Sequence, residues 1–222
     1  MLEENRLSTN QLFSKIYMWL CLGLLITFGV GYFVQENVSL LSFIFSNNLY
    51  FFIIIAEVIL ALVLSVRIHK MSSRTATILY LIYTALTGLT FSSIFVVFEM
   101  KSIMFIFLVT AAIFGVLSYI GANTKMDLTK VGTYLVIGLI GAIIVSLLNV
   151  LIFKSTAVEL GLSVLILIIF LGLTAFDVQK ILKISETGIP EDNAAIYGAL
   201  ELYLDFINIF IKLLQLFGKG RD

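Results

Sequence analysis

Four polar residues embedded in one hydrophobic stretch are the most reactive feature of this sequence. In Gly198-Ala-Leu-Glu-Leu-Tyr-Leu-Asp-Phe-Ile-Asn-Ile-Phe-Ile-Lys-Leu-Leu-Gln-Leu-Phe-Gly218, Glu201, Asp205, Asn208 and Lys212 fall at i, i+4, i+7 and i+11, the spacing of one helix face. Leu, Phe and Ile cover the remainder. Ionisable side chains at membrane depth are costly; they face a partner or a wet cavity and mark ion paths, proton relays and sensors. Each of these residues therefore requires a partner.

Asp177, in Leu171-Gly-Leu-Thr-Ala-Phe-Asp-Val-Gln-Lys-Ile-Leu-Lys183, is the first candidate. Counting from a helix end near Ile196, Asp205 lies about 14 Å deep, and Asp177 lies about 9 Å from the same end if its own helix continues to Lys183. The two carboxylates can therefore meet. Arg67, at the end of an earlier apolar run, can extend its side chain toward both. Two carboxylates in a poor solvent do not both ionise cheaply, so the pair shares a proton and titrates in coupled steps. A switch follows: Arg67 clamps the ionised pair, and protonation loosens the clamp. Ionised, Asp177 and Asp205 are also hard oxygen ligands suited to Ca²⁺, so acid competes with the metal. The same three groups equally suit a fixed ion cluster that pins three helices.

The other polar residues divide by depth. Glu57, roughly 15 Å from Arg67 along a helix axis, is a separate deep acid that either lines a permeation path or is protonated and hydrogen-bonded to a Thr or to Asn149. Glu201, one turn from Asp205, is a solvated acid at the entrance, and Asn208 is a candidate path-lining residue. His69 stands beside Lys70 in a basic loop and reads as a solvated histidine. Lys212, about 10 Å beyond Asp205, has no evident acid.

The elements that must position these groups are membrane helices. Of 222 residues, 60% are hydrophobic and 13% charged, with a single proline, and mean hydropathy is +1.10; a soluble globular fold is excluded on that composition. Fourteen basic residues balance fourteen acidic ones, which removes the argument for a nucleic-acid partner or a polybasic lipid-binding surface. The single Cys21 excludes an intramolecular disulfide and a cysteine metal cluster. Met18-Trp19-Leu20 before it lacks the small residues of a lipoprotein or signal-peptide cleavage site, so the first apolar run is a retained helix. About 20 apolar residues cross the hydrocarbon core, and that rule gives seven spans, at about 16–34, 49–66, 77–98, 102–120, 131–153, 158–183 and 196–217. The expectation is an all-α polytopic membrane protein, one integral membrane domain over residues 1–222, a seven-transmembrane-helix bundle. Whether the last segment crosses fully or re-enters as a hairpin is open, with a full crossing favoured by its length. Gly138, Gly141, Ala142, Gly172 and Ala175 are expected at close helix contacts. Arg6, Lys15, Arg67, Lys70, Arg74, Lys125, Lys130, Lys180 and Lys183 fall on one side of such a bundle and only Lys101 and Lys154 in the loops opposite, which puts the N-terminus in the cytoplasm.

Two strings carry a resemblance. Thr174-Ala-Phe-Asp177-Val-Gln-Lys-Ile181 and the Gly198 to Gly218 stretch resemble the most characteristic segments of the Bax inhibitor family, the transmembrane Bax inhibitor motif proteins, in its bacterial branch. Leu-Tyr-Leu-Asp205-Phe-Ile-Asn is the more specific of the two, while span number and length agree over the whole chain. The resemblance implies a seven-helix fold with a central last helix and a pH-sensitive calcium leak in a bacterial inner membrane. It implies a gate formed by Asp177 and Asp205, a latch at Arg67 and, less securely, a role for Glu57. Phe176 stands where a tyrosine is common, which removes one hydrogen bond near the sensor. The tail Gly218-Lys-Gly-Arg-Asp222 is less basic than in many relatives, which puts tail-mediated regulation in doubt. Some bacterial relatives associate with membrane proteases, so a membrane-protein partner is a further expectation.

Enzymatic readings fit less well. Intramembrane aspartyl proteases also carry two aspartates on successive late helices and share Phe176-Asp177, but their second aspartate lies in Gly-x-Gly-Asp followed by Pro-Ala-Leu, and both elements are missing here. One loop histidine cannot supply a zinc site, and no membrane-embedded base serves a serine nucleophile. A non-transporting regulator that binds another membrane protein is the alternative to a channel. No resident cofactor is expected, only bound or transported Ca²⁺ and the lipid bilayer.

Overall fold

The computed structural model describes residues 9–46, 48–184 and 190–221, without the side chains of Thr9 and His69. Arg6 and the His69 imidazole thus lie outside the described residues. The described chain is all-α: α1 (Thr9–Glu36), α2 (Val38–Ser46), α3 (Leu49–Arg67), a 3₁₀ turn (Ile68–Lys70), α4 (Ser73–Val97), α5 (Met100–Asn123), α6 (Thr129–Leu148) ending in a π-helical turn (Asn149–Phe153), α7 (Thr156–Ile184) and α8 (Glu191–Phe217). All of the α-helices except α2 are long and apolar enough to cross a membrane. Backbone polar groups find no water in hydrocarbon, so each crossing closes its hydrogen bonds within the segment. The chain is an all-α polytopic membrane protein.

The helix ends follow local chemistry. Ser72 Oγ caps α4 by accepting the Thr75 N–H at 3.1 Å, satisfying a donor that the first turn leaves open. At the far end of α6, Asn149 donates Nδ2 to the Ser155 carbonyl and accepts the Ser155 N–H, each at 3.1 Å. Lys154 then turns the chain in the left-handed region, at φ 49°. The sequence gives no separate sign of α2, because nine residues are too few to span. α8 is unbroken over 27 residues, roughly 40 Å, so the last segment is not a re-entrant hairpin.

Exposure separates the helices. Phe51, Phe52 and Leu62 on α3 and Ile137, Ile140 and Ile144 on α6 are exposed, an arrangement suited to lipid. In the most apolar window of α3 only 11% of residues are buried, against 78% in α8. The last helix is the enclosed one.

The chain forms two compact units, one from Met1–Glu99, Lys183–Tyr203 and Gly220–Asp222, the other from Met100–Leu182 and Leu204–Lys219. In the first, α1 and α3 pack against α4. A Cβ at Gly88 would sit 2.7 Å from the Val30 Cβ, so glycine sets how closely α1 and α4 approach. The tail joins the same unit: the Arg221 N–H donates to the Val97 carbonyl at 2.8 Å.

In the second unit, Phe107 and Phe114 of α5 pack on Phe206 of α8 with ring centroids 5.3 and 5.6 Å apart. α7 is held more closely still. A Cβ at Gly121 of α5 would lie 2.4 Å from the Ala175 carbonyl oxygen, and one at Gly132 of α6 would meet the Phe176 ring at 2.4 Å. Gly172 faces Leu135, Ala175 faces Gly121, and Ala142 is buried, as expected of small interface residues. Gly141 meets nothing within 4 Å and Gly138 only the Ile169 Cδ1 at 3.6 Å, so the expectation fails at those two positions: both lie on an exposed face of α6. Gly121→Val is expected to cost about 1–3 kcal/mol through overpacking, whereas Gly141→Val is tolerated; thermal denaturation of the two purified variants in detergent checks the contrast.

Candidate functional site

Asp177 and Asp205 both belong to the second unit, and both are buried, at 5% and 2% exposure. Their relative level follows from the packing of α7 on α8. Ser163 Oγ donates to Gln215 Oε1 at 3.4 Å, and consecutive spanning helices run antiparallel. From that tie Asp177 lies roughly 21 Å along α7 and Asp205 roughly 15 Å back along α8, a difference of roughly 6 Å in axial level. The two acids therefore lie about one helical turn apart in level.

The turn that carries Asp177 is fixed on both sides. Ala175 is seated at Gly121 and Phe176 over Gly132, so the phenyl ring fills a glycine-lined recess where a hydroxyl is not needed for packing. Gln179 accepts the Leu128 N–H at 2.9 Å and donates to the Met126 carbonyl at 2.8 Å, tying α7 to the α5–α6 connection. Lys180 Nζ lies 3.7 Å from Asp177 Oδ1. That i,i+3 partner on the same helix was legible in the spacing, although sequence alone assigned Lys180 only to a loop tally of basic residues.

Arg67 ends α3 with its side chain exposed and belongs to the first unit, where it makes no hydrogen bond or ion pair among the described residues. Its surroundings are held by a residue that sequence reasoning missed. Asn193 of α8, 1% exposed, donates from Nδ2 to the Ile68 carbonyl at 2.8 Å and the Met71 carbonyl at 2.9 Å. The turn that follows Arg67 is thereby anchored to α8. Nearby, Lys15 pairs with Asp192 at 3.2 Å.

Glu57 is half-buried and has found a partner on α4: Thr90 Oγ1 lies 3.1 Å from Glu57 Oε1 and 2.9 Å from the Thr87 carbonyl. One hydroxyl proton serves either contact. An ionised Glu57 takes that proton; a protonated Glu57 donates to Thr90 while Thr90 donates to Thr87. Asn149, the other candidate partner, spends its amide on Ser155. Deeper in the same unit, Thr27 Oγ1 donates to the Thr84 carbonyl at 2.8 Å, so the short contact between Thr27 and Tyr203 is donated by the Tyr203 hydroxyl. Tyr203 also packs edge-on against Tyr80 and Tyr83.

Along α8, Glu201 and Asn208 are half-buried. Asn208 turns its amide back to the Leu204 carbonyl at 2.8 Å. Lys212 donates to Gln215 Oε1 at 2.9 Å, and the acid that acts on it electrostatically is Glu159 of α7, which sequence reasoning did not find. Among the described residues no three His, Cys, Asp or Glu side chains gather where they could hold a metal ion.

Seven helices long and apolar enough to cross a membrane, two of which carry a buried acid, define a polytopic membrane protein. Comparison with known proteins makes the class specific. The family described as inhibitor of apoptosis-promoting Bax1 matches residues 9–222. The chain is 40% identical over 214 residues to the inner membrane protein YbhL of Escherichia coli K12, covering 94% of this chain and 91% of that one. It is 41% identical over 226 residues to an uncharacterized protein of Borreliella burgdorferi, covering 99% and 97%, and 36% identical over 212 residues to one of Deinococcus radiodurans, covering 94% and 90%. The chain belongs to the Bax inhibitor family, which is not a known enzyme family.

The Asn193 clamp generates its own test. Asn193→Ala leaves two carbonyls without their donor at a cost of about 1–3 kcal/mol, and amide hydrogen exchange in the turn after Arg67 is expected to accelerate while exchange in α5 and α6 stays unchanged.

Proposed function

We propose that the protein is a pH-sensitive calcium leak channel of a bacterial inner membrane, with its N-terminus in the cytoplasm. Asp177 and Asp205 form the gate as a coupled pair that shares a proton, and Arg67 is the latch that clamps the pair when it is ionised. The observation that carries this reading is the burial of two carboxylates about one helical turn apart in level, on successive helices of an all-α membrane protein. A pair so placed changes charge in two steps, and a change of charge in a low-dielectric interior alters helix packing. Ca²⁺ is cargo: the ionised carboxylates give it hard oxygen ligands for passage, and acid competes with it. Glu57, with a hydroxyl partner that suits either protonation state, lines the path, as does Asn208, and Glu201 stands at the entrance. The orientation rests on the bias of Lys and Arg toward the segments around Arg67, Lys125 and Lys180. No catalytic role is assigned to these residues, and nucleic acid is not a partner.

A second reading, a non-transporting regulator that docks on another membrane protein, is favoured by one observation. Gly141 lies on an exposed face of α6 with nothing within 4 Å, and glycines on such faces let a partner helix approach closely.

Proteoliposomes containing the purified protein and loaded with a calcium indicator separate the two. Calcium influx above that of empty vesicles is expected to vary between about pH 6 and 8, and Asp177→Asn with Asp205→Asn is expected to abolish the variation. Influx equal to empty vesicles, together with no effect of the double substitution, removes the channel. Arg67→Ala is expected to flatten the pH response without abolishing flux; an unchanged pH profile removes the latch.

A further inference from the structure

One polar recess is not used by the gate. Within the second unit, the end of α6, its π-helical turn, the start of α7 and the last turns of α8 enclose a cavity of about 410 Å³. Its lining includes Asn149, Lys154, Glu159, Ser163, Lys212 and Gln215. At about 30 Å³ per water, that volume has room for on the order of a dozen waters, and the polar side chains of the lining give a cluster of them partners.

Its position on α8 gives it meaning. Lys212 and Gln215 continue the face that carries Glu201, Asp205 and Asn208, so one polar seam runs from the gate into the cavity, a distance of about 10 Å from Asp205 to Lys212. Lys212 is half-buried and is pinned by Gln215 at 2.9 Å. Glu159, in the first turn of α7, is exposed and offsets its charge. Lys154 is exposed at the turn itself. Water screens an exposed ammonium far better than a half-buried one, so Lys212 dominates the field that an entering ion meets.

We propose that this cavity is the mouth of the ion path at the C-terminal end of α8, and that Lys212, offset by Glu159, is the residue that limits cation entry there. The inference rests on the channel reading above. The charge of Lys212 repels a divalent cation, Glu159 lowers that barrier, and the balance between them sets the rate at which cations pass the mouth.

Calcium influx into proteoliposomes of the full chain tests this, with each variant normalised to protein that is monodisperse in detergent. Lys212→Met keeps the length and removes the charge, and it is expected to raise initial influx at least about threefold. Lys212→Arg, which keeps the charge, is not expected to raise influx. Glu159→Gln, at an exposed position that folding tolerates, lowers influx about twofold or more. Wild-type influx with no change in Lys212→Met overturns the proposal and leaves the channel standing. Should Lys212→Met not fold, unchanged influx in Glu159→Gln overturns it equally. Wild-type influx no higher than that of empty vesicles overturns the channel and this inference with it.

Discussion

Carboxylates cannot face lipid, and that constraint decides which helix is enclosed. α8 carries Glu201, Asp205 and Lys212 within one span, a load that hydrocarbon does not accept without partners. Its burial, 78% in its most apolar window against 11% for α3, is the structural answer. Within the second unit, enclosure depends on helices that come close enough to exclude lipid. Gly121, Gly132 and Gly172 bring α5 and α6 that close to α7, the helix of Asp177, each at a position where a Cβ would fall within 2.6 Å of its neighbour. The small residues and the buried acids are thus two sides of one requirement.

The polar groups on α8 meet that requirement by different means. Within the first unit, Asn193 donates its amide to two backbone carbonyls and Tyr203 bonds the Thr27 hydroxyl, which makes them structural ties. Asn208 is satisfied by its own helix. Lys212 bonds a side chain one turn on and shares a recess with Glu159. Ties of the first kind hold α8 to its neighbours, whereas a charge that lines a recess is left to act on what enters it.

Much of this was legible in the sequence, for physical reasons that differ by feature. Spans are legible because hydrocarbon imposes a length on apolar runs; α2 was not, because a nine-residue helix with three serines, lying between two spans, carries no such length signature. The expectation that Asp177 and Asp205 lie at similar levels is arithmetic on the rise per residue and needs no knowledge of packing; their burial is what the structure adds. Lys212 and Glu159 are different. They are far apart in sequence on two helices, and only the rotation of α7 against α8, which no periodicity encodes, brings Glu159 to that cavity. The same limit explains Gly141 and Gly121: composition marks both as small, and packing alone decides which of them meets a neighbour.

Stability does not account for the acids. A buried ionic group replaced by an apolar side chain of similar volume often leaves a protein as stable or more so. α8 is already fastened by neutral bonds, from Asn193 to the turn after Arg67 and from Tyr203 to Thr27, and by aromatic packing at Phe206 and Phe210. Leucine at position 205 would cost less than aspartate if fastening were the whole task. What an aspartate adds to such a position is a charge that can be taken up or given away. In the channel proposed above, two of them about one helical turn apart in level, one with a lysine 3.7 Å away on its own helix, make that charge depend on the proton and on any cation that reaches it.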